Sequence, residues 1–558
     1  MKLKDIAYER IDFEKAKEQI EELIEKQKKA ADVEEMFAIH QEYYQLTDHI
    51  QTMATIAMFR HSINTVDEFY DKENDYYDEM LPKLSNLEIA YQRVLYHSPF
   101  RSQMEQKIGS VAFKNMELRE KANSEELVSL KQEENALVSA YEKLLASASF
   151  DWDGESLSMS QLGKHQTACD RSERIRAWHM QADFMQSHEK EWDDLFERLV
   201  KNRDTQAKKL GYANYVELGY YRMQRNCYDK DMVAHFRSQV KKYLVPLATK
   251  LHQKRAKRIG VSSLELYDNG LYFAEGNPAP TGTPEEILNA GLTMYQELSK
   301  ETAEFMQAMM RDEMFDVLGR KNKRQGGYME MLAEPRMPLV FANFNGTSGD
   351  VDVITHECGH AFQYYLASKD DIREHWDITM ETAETHSMSM EFFTNPWMEL
   401  FFGKDASKFL KMQLEDAICF IPYGCMVDEF QHIIYENPEL SPAERHDVWK
   451  KLEKEYRPHL QFDKVLFFAK GGWWQKQHHI YSFPFYYIDY CIAQICALQY
   501  KIWMKKDFKE AWESYLTLCK LSASGFFTDM IKEVGLSNPF EADNIRQLVE
   551  ALEKETED

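Results

Sequence analysis

The segment His356-Glu357-Cys358-Gly359-His360 has the residue types and the spacing of a metal-dependent hydrolase. Two histidines four positions apart lie on the same face of a helix, so both imidazoles can reach one ion. Glu357, directly after the first histidine, is placed beside that ion, where its carboxylate can accept a proton from water. This arrangement is typical of zinc hydrolases, and it predicts that His356 and His360 are metal ligands.

A third ligand must come from elsewhere in the chain. Catalytic zinc sites have three protein ligands and one open position. The third histidine of the HExxHxxGxxH pattern is absent, because Gln363 and Leu366 occupy the last two defining places. The next helical segment, 378–393, offers four candidates among which spacing alone does not choose: Glu381, Glu384, His386 and Glu391.

The stretch TSGDVDVITHECGHAFQYY, followed by METAETHSMSMEFF, resembles the M3 oligopeptidases, the family of oligoendopeptidase F, Pz-peptidase and thimet oligopeptidase. In that family a helix shortly after HExxH supplies the zinc-binding Glu from two Glu residues separated by six others. The resemblance implies that Glu384 is the third ligand of one zinc ion and that Glu391 orients the site. Asp352, one turn before His356, is a candidate to fix a ligand imidazole, or equally an acid favoured at a helix start.

A tyrosine-rich segment, HHIYSFPFYYIDYCIAQICALQY, is a candidate for the rest of the active site. Tyrosine hydroxyls are neutral at pH 7 and can donate to a developing oxyanion, although an aromatic core stripe would have the same pattern. The family carries a His and a Tyr-rich helix that face the zinc. The resemblance therefore implies catalytic roles for His479, Tyr486 and Tyr490, with His478 and Tyr487 as the alternatives one position away.

The run PLVFANF resembles the family's sheet edge next to the zinc helix. A free strand edge can hydrogen-bond an extended peptide, so the resemblance implies that Phe341 and Asn343 lie at the substrate. An ordinary strand that leads into the helix would explain the same residues.

Composition predicts a mostly α-helical chain. In 558 residues there are only 22 Gly and 15 Pro, and the patterns are largely amphipathic helices. We expect an N-terminal helical domain over 1–150 and a catalytic region over 151–558. Within the latter we expect one small sheet at about 325–345 and the HExxH helix at about 348–367. The family resemblance implies a two-lobed helical shell that encloses a deep substrate channel.

The net charge bears on the partners of the protein, and the cysteine content bears on its cellular compartment. The net charge of −25 disfavours nucleic acid and anionic membrane surfaces. The eight cysteines form no CxxC pair, which favours free thiols in a reducing compartment. We find neither a signal peptide nor an apolar run long enough to span a membrane, and the sequence therefore indicates a cytoplasmic protein.

Together, motif and resemblance predict a zinc-dependent endopeptidase that cuts short unstructured oligopeptides. Two alternatives stay open from the sequence: a metallocarboxypeptidase of similar helical architecture, and a catalytically dead helical peptide-binding protein with an accidental HExxH.

Overall fold

The computed structural model describes residues 2–324 and 326–557. Its α-helices are α1 Phe13–Lys29, α2 Val33–Ile63, α3 Glu68–Tyr96, α4 Arg101–Ile108, α5 Ser110–Lys121, α6 Val128–Ala146, α7 Met159–His165, α8 Arg171–Ser187, α9 Glu189–Lys209, α10 Tyr215–Arg222, α11 Lys230–Gln239, α12 Val245–Arg258, α13 Pro284–Leu298, α14 Lys300–Arg311, α15 Gly349–Asp352, α16 Cys358–Ala367, α17 Met380–Phe393, α18 Glu399–Phe402, α19 Ala406–Glu436, α20 Pro442–Tyr456, α21 Leu466–Ala469, α22 His478–Ser482, α23 Tyr487–Lys506, α24 Phe508–Leu521, α25 Phe527–Glu533 and α26 Ala542–Glu555. The strands are β1 Phe150–Trp152, β2 Glu155–Leu157, β3 Leu264–Glu265, β4 Phe315–Leu318, β5 Tyr328–Leu332, β6 Met337–Phe344 and β7 Leu460–Gln461.

Helices dominate this list, which confirms the predicted mostly-α fold class. Local sequence explains where many of them begin. At α13 the Thr283 hydroxyl accepts from the Glu286 amide, and the Glu286 carboxylate accepts from the Thr283 amide. Pro284 occupies the first turn, where its missing N–H costs nothing.

The chain forms two compact units, each assembled from three separate segments. The first unit contains residues 1–120, 279–406 and 503–536, and the second contains 121–278, 407–502 and 537–558. The HExxH segment belongs to the first unit, and the tyrosine-rich segment to the second. The predicted boundary near residue 150 falls at the β1–β2 hairpin of the second unit. The division of the chain into domains 1–150 and 151–558 stays a prediction.

A three-stranded sheet in the first unit lies beside the HExxH helix, as predicted. Its order is β4-β6-β5, with β6 parallel to β4 and antiparallel to β5. Helix α16 packs against both β6 and α17. The sequence did not reveal β4, nor the two-stranded sheets β1-β2 and β3-β7.

The eight cysteines all lie within the described residues, and all are free thiols, as predicted. In the ranges 2–324 and 326–557, no helix combines the length and the apolar character that a membrane crossing requires.

Candidate active site

The first half of the HExxH motif lies on a π-helical turn. This turn, Val353–Glu357, joins α15 to α16 and makes one continuous helical segment from 349 to 367. The Tyr295 hydroxyl of α13 donates to the Ile354 carbonyl at 2.8 Å. That contact satisfies a backbone acceptor where the regular helical pattern is broken. The π turn is a local feature that hydrophobic periodicity does not reveal.

Three side chains from α17 and the HExxH segment meet at one point. His356 Nε2 lies 3.4 Å from Glu384 Oε2, and His360 Nε2 lies 3.6 Å from the same oxygen. One ligand atom from each residue lies within 4.8 Å of the others. Two donors bound to one tetrahedral zinc are roughly 3.4 Å apart, given zinc–ligand distances of about 2.1 Å. The two imidazoles and the carboxylate therefore fit a single zinc ion.

Glu391 holds the ring of His356 in place. Its Oε1 lies 2.7 Å from His356 Nδ1, so Nε2 of that ring is turned toward Glu384. Burial disfavours a protonated ring, but hydrogen bonds and charge attraction from Glu384 and Glu391 raise the pKa of His356 well above its ordinary value. His360 is half-buried, and desolvation together with repulsion from His356 lowers its pKa. A site with two carboxylates around His356 stabilises positive charge, which is the environment that a bound cation requires.

The role predicted for Asp352 is taken by Glu391 at the first histidine. Both ring nitrogens of His356 already face carboxylates, Nδ1 toward Glu391 and Nε2 toward Glu384. Asp352 is exposed at the end of α15. Glu391, which lies 35 positions from His356, was indicated as an orienting residue by the family resemblance and not by its spacing.

Gly359 lets α16 and α17 approach closely enough for Glu384 to reach the histidines. A Cβ built on Gly359 would lie 2.7 Å from the Ser387 Cα and 3.1 Å from the Met390 Cβ. Any side chain at this position would force the two helix backbones apart. The close crossing explains how an acid 24 positions beyond His360 joins the same cluster.

The other acidic and imidazole candidates on α17 are engaged elsewhere. Glu381 accepts from the Thr379 hydroxyl at 2.5 Å. The His386 Nδ1 lies 3.4 Å from the Cys519 thiol of α24, and the His386 carbonyl accepts from the Tyr515 hydroxyl. Burial, with repulsion from His360, lowers the pKa of His386 to about 3. His386 is therefore a neutral core residue beside the cluster.

Glu357 and Cys358 differ sharply in their exposure. Glu357 is half-buried in the π turn, directly after the ligand candidate His356. Cys358 is fully buried, and burial raises the pKa of its thiol far above the ordinary range. Both burial and the raised pKa disfavour the reactive thiolate form of Cys358.

The prediction that PLVFANF is a free sheet edge is wrong, because β6 is the middle strand. The Phe341 backbone is in register with Asp316 on one side and Tyr328 on the other. Its side chain is fully buried, stacked on Tyr328 and edge-on to Phe59. It therefore cannot touch a substrate.

Asn343, the other residue predicted to bind substrate, has a structural task. Its amide donates to the carbonyls of Arg324 and Gly326 at 2.9 and 3.0 Å and fixes the loop before β5. The outer strands of the sheet are β4 and β5, and of these two only β5 was indicated by the sequence.

In the second unit, His479, Tyr486 and Tyr490 form a compact aromatic cluster. The His479 ring centroid lies 5.8 Å from that of Tyr486 and 6.0 Å from that of Tyr490. Tyr487 is nearer, at 4.8 Å, so the alternative of Tyr487 stays open. His478 differs from its neighbour: its Nε2 is 3.0 Å from a Glu142 carboxylate oxygen and outside this cluster of tyrosines.

A chain of hydrogen bonds fixes the tautomer of His479. The Trp473 indole donates to the Tyr423 hydroxyl at 3.1 Å, and that hydroxyl donates to the Gln477 Oε1 at 2.5 Å. The Gln477 amide nitrogen is then the donor toward His479 Nδ1, 3.0 Å away. Nδ1 therefore accepts, and the ring proton of neutral His479 sits on Nε2. Sequence reasoning missed Gln477, although it lies two positions before His479.

A strained turn positions Tyr486. Phe485 adopts φ of +69°, a conformation that bulky residues rarely take, and its side chain is fully buried. The Arg225 guanidinium donates to the Phe485 carbonyl at 2.5 Å, and the Phe485 amide donates to Gln431 at 3.0 Å. Gly219 leaves room for the ring, since a Cβ there would lie 2.6 Å from it. These partners are far apart in sequence, so no local pattern could have revealed the turn.

The cluster of two histidines and a glutamate could hold a metal ion, as in a metal-dependent hydrolase, and comparison with known sequences gives the family of the chain. The profile of Peptidase family M3 matches residues 165–550, and that of the Peptidase M3 N-terminal domain matches residues 3–123. The chain therefore belongs to peptidase family M3, which confirms the resemblance found in the sequence.

Individual relatives agree with this assignment. A structure of Pz peptidase A with an inhibitor is 44% identical, with a TM-score of 0.95, and the match covers 100% of this chain and 99% of that one. A structure provisionally named oligoendopeptidase F is 43% identical, with a TM-score of 0.95, over 100% and 98% of the two chains. Among curated proteins, the oligopeptidase PepF of Bacillus subtilis is 23% identical over 56% of this chain and 47% of its own length. The match thus spans about half the length of that curated relative.

Proposed function

We propose that this protein is a zinc-dependent endopeptidase that hydrolyses internal bonds of short unstructured oligopeptides. The observation that carries the proposal is the meeting of His356, His360 and Glu384 within 4.8 Å of one another. The names of the relatives, an oligopeptidase and a Pz peptidase, support peptides as the substrate class. The free thiols support a reducing compartment such as the cytoplasm.

In this proposal the two imidazoles and Glu384 hold one zinc ion, and Glu391 keeps the His356 ring oriented for it. A zinc ion held there would supply Lewis-acid chemistry, which makes water more acidic and draws electron density from a carbonyl oxygen. Glu357 accepts the proton of the attacking water and passes it to the leaving amine.

His479, Tyr486 and Tyr490 are proposed as donors to the oxyanion of the tetrahedral intermediate. The hydrogen-bond chain through Gln477 supports this role, because it places the ring proton of neutral His479 on Nε2, the nitrogen that can then donate. Tyr486 and Tyr490 lie side by side, with ring centroids 5.0 Å apart, and offer two further hydroxyls.

The function is tested by mass spectrometry of the products from peptides blocked at both ends. Internal cuts that cease on chelation and return with zinc are expected. Release of single C-terminal residues from unblocked peptides, with blocked ones untouched, would instead identify a carboxypeptidase. Protein that binds zinc stoichiometrically and cuts neither kind of peptide would contradict catalysis.

Glu357→Gln separates proton transfer from metal binding. We expect the variant to retain zinc, because Glu357 is not among the three ligands, and to lose kcat by roughly 100- to 10,000-fold. Zinc content is measured by elemental analysis and kcat with a fluorogenic peptide. Near-normal turnover would remove Glu357 from the mechanism.

A further inference from the structure

A cavity of about 480 Å³ in the second unit is lined by basic groups, although the chain as a whole is strongly acidic. Arg255 of α12, Arg457 after α20 and Lys476 all contribute to its wall, with Asp416 of α19 as the acidic member. Such a volume is in the range that holds a small ligand or the end of a peptide.

Two of the three cations have no carboxylate partner among the described residues. Arg457 is neutralised by Glu453, which accepts from its Nε at 2.8 Å. Arg255 is only 2% exposed, yet its hydrogen bonds go to neutral groups, His252 Nδ1 and Asn269 Oδ1, each at 2.7 Å. Its Nε is buried and has no hydrogen-bond partner. Burying a cation without a counter-charge is costly, so this arrangement favours an anion in the cavity.

Lys476 is the second unpaired cation. Its ammonium lies 4.0 Å from the ring centroid of Trp473 and 4.9 Å from that of Trp178, and no carboxylate of the described chain lies within ion-pair distance. Burial, together with repulsion from Arg457, lowers its pKa to about 7. An anion beside it would restore the full charge.

His459 supplies a further unsatisfied donor. Both of its ring nitrogens are buried without hydrogen-bond partners, and the ring is stacked on His252 with centroids 3.5 Å apart. Burial and the neighbouring Arg457 lower its pKa to about 3, so the ring is neutral and carries one N–H. A buried N–H of this kind is uncommon unless it binds a ligand or water.

The cavity adjoins the candidate catalytic histidine. Tyr423, Trp473 and Gln477 are part of its wall, and they form the hydrogen-bond chain that ends on His479 Nδ1. An anionic group bound here would therefore lie close to the groups proposed to act on the scissile bond.

We propose that this cavity binds the C-terminal carboxylate of the peptide substrate, an inference that rests on the proposed function. A carboxylate matches the unpaired donors of Arg255, Lys476 and His459, and the aromatic wall suits the last side chain of a peptide. The site makes the enzyme selective for peptides that end shortly after the cut, which is a physical basis for a preference for short substrates.

The test compares two peptides that differ only in a free or an amidated C-terminus. For the wild-type enzyme we expect kcat/KM to be roughly tenfold higher with the free acid, the usual worth of a hydrogen bond to a charged group. The net negative charge of the protein would by itself lower kcat/KM for the free-acid peptide, because the acidic chain repels the more negative of the two peptides. Equal values for the two peptides would overturn the proposal.

Lys476→Met is expected to bring the ratio of the two kcat/KM values close to one, through a lower kcat/KM for the free-acid peptide. Lys476→Arg keeps the charge and should keep most of the preference. Lys250→Met, at a lysine 63% exposed and paired with Glu553 on the surface, is the matched control and should keep the wild-type ratio. A wild-type ratio in Lys476→Met would refute the site.

Inorganic phosphate distinguishes a substrate carboxylate from a free anion. If the cavity binds the substrate terminus, phosphate inhibits hydrolysis of the free-acid peptide. If phosphate instead raises hydrolysis of the amidated peptide in the wild type and not in Lys476→Met, the ligand is a free anion and the proposal is wrong. Failure to cut either peptide would count against the peptidase function itself, a separate result.

Discussion

Glu357 and Glu391 carry the same functional group but have different tasks. Glu357 is half-buried next to the ligand candidates, where a proton acceptor is needed. Glu391 lies behind the cluster and engages the Nδ1 of His356 at 2.7 Å. Such partners hold the tautomer and the orientation of a metal-binding ring.

Glu391→Gln is predicted to weaken zinc binding by roughly 10- to 100-fold, because an amide orients the His356 ring less strongly than a carboxylate does. Affinity is measured by competition with a chelator of known strength. Glu304→Gln, which alters a surface acid 3.8 Å from Lys300, is the control and should bind zinc as the wild type does. Equal affinity in the two variants would show that Glu391 does not orient the site.

The sequence was sufficient for some of these residues and insufficient for others. The spacing of His356 and His360 placed them on one helix face, because helical geometry is local. Spacing left four candidates on α17, and only packing separates them: Glu384 faces the histidines, while His386 faces Cys519. Partners distant in the chain, such as Gln477 for the tautomer of His479, depend on tertiary contacts that one sequence does not contain.

At the scale of elements, the site depends on two close helix contacts. Helix α13 packs onto the π turn, where a Cβ on Gly291 would lie 2.8 Å from Ile354 and where Tyr295 binds the Ile354 carbonyl. Helix α17 crosses α16 at Gly359. The contact of α13 with the π turn positions the histidines, and the crossing of α17 with α16 positions Glu384.

Gly359→Ala is predicted to disrupt the crossing of α16 and α17. The new methyl would overlap the Ser387 backbone, which cannot rotate away as a side chain could. We expect a loss of about 1–3 kcal/mol in the free energy of unfolding, together with a loss of zinc, because Glu384 is displaced. Urea unfolding and metal analysis provide the two measurements.

Gly163→Ala is the matched control, since a Cβ there would meet no atom within 4 Å. It lies inside α7, where alanine favours the helix by up to about 1 kcal/mol over glycine. Gly359→Ala that is as stable and as rich in zinc as this control would contradict the packing argument.

The order of the strands in the three-stranded sheet could not be predicted from the sequence. The runs that become β5 and β6 were recognisable from their composition, but β4 was not, and its pairing turns β6 from an edge into the centre. Because pairing partners are set by tertiary structure, the role predicted for Phe341 followed from the wrong position in the sheet.

At the scale of the molecule, the chain passes back and forth between its two compact units. Residues 1–120 fold with 279–406, so the N-terminal helices share a unit with the metal site. Composition and turn signals follow chain order, and therefore they could not reveal this arrangement. The mostly helical class was predictable, since it is a sum of local preferences.

Zinc binding should stabilise the whole first unit, because its ligands join α17 to the HExxH segment. A ligand that binds only the folded state adds about 2.7 kcal/mol at a concentration a hundredfold above its Kd. We therefore expect chelation to lower the Tm of the wild type by several degrees and added zinc to restore it, as measured by calorimetry. His360→Ala removes one of the three ligands, and its Tm should respond little to chelator or zinc. A wild-type Tm that is the same with and without chelator would mean that His356, His360 and Glu384 do not bind a shared ion that stabilises the fold. That result would contradict the proposed metal site.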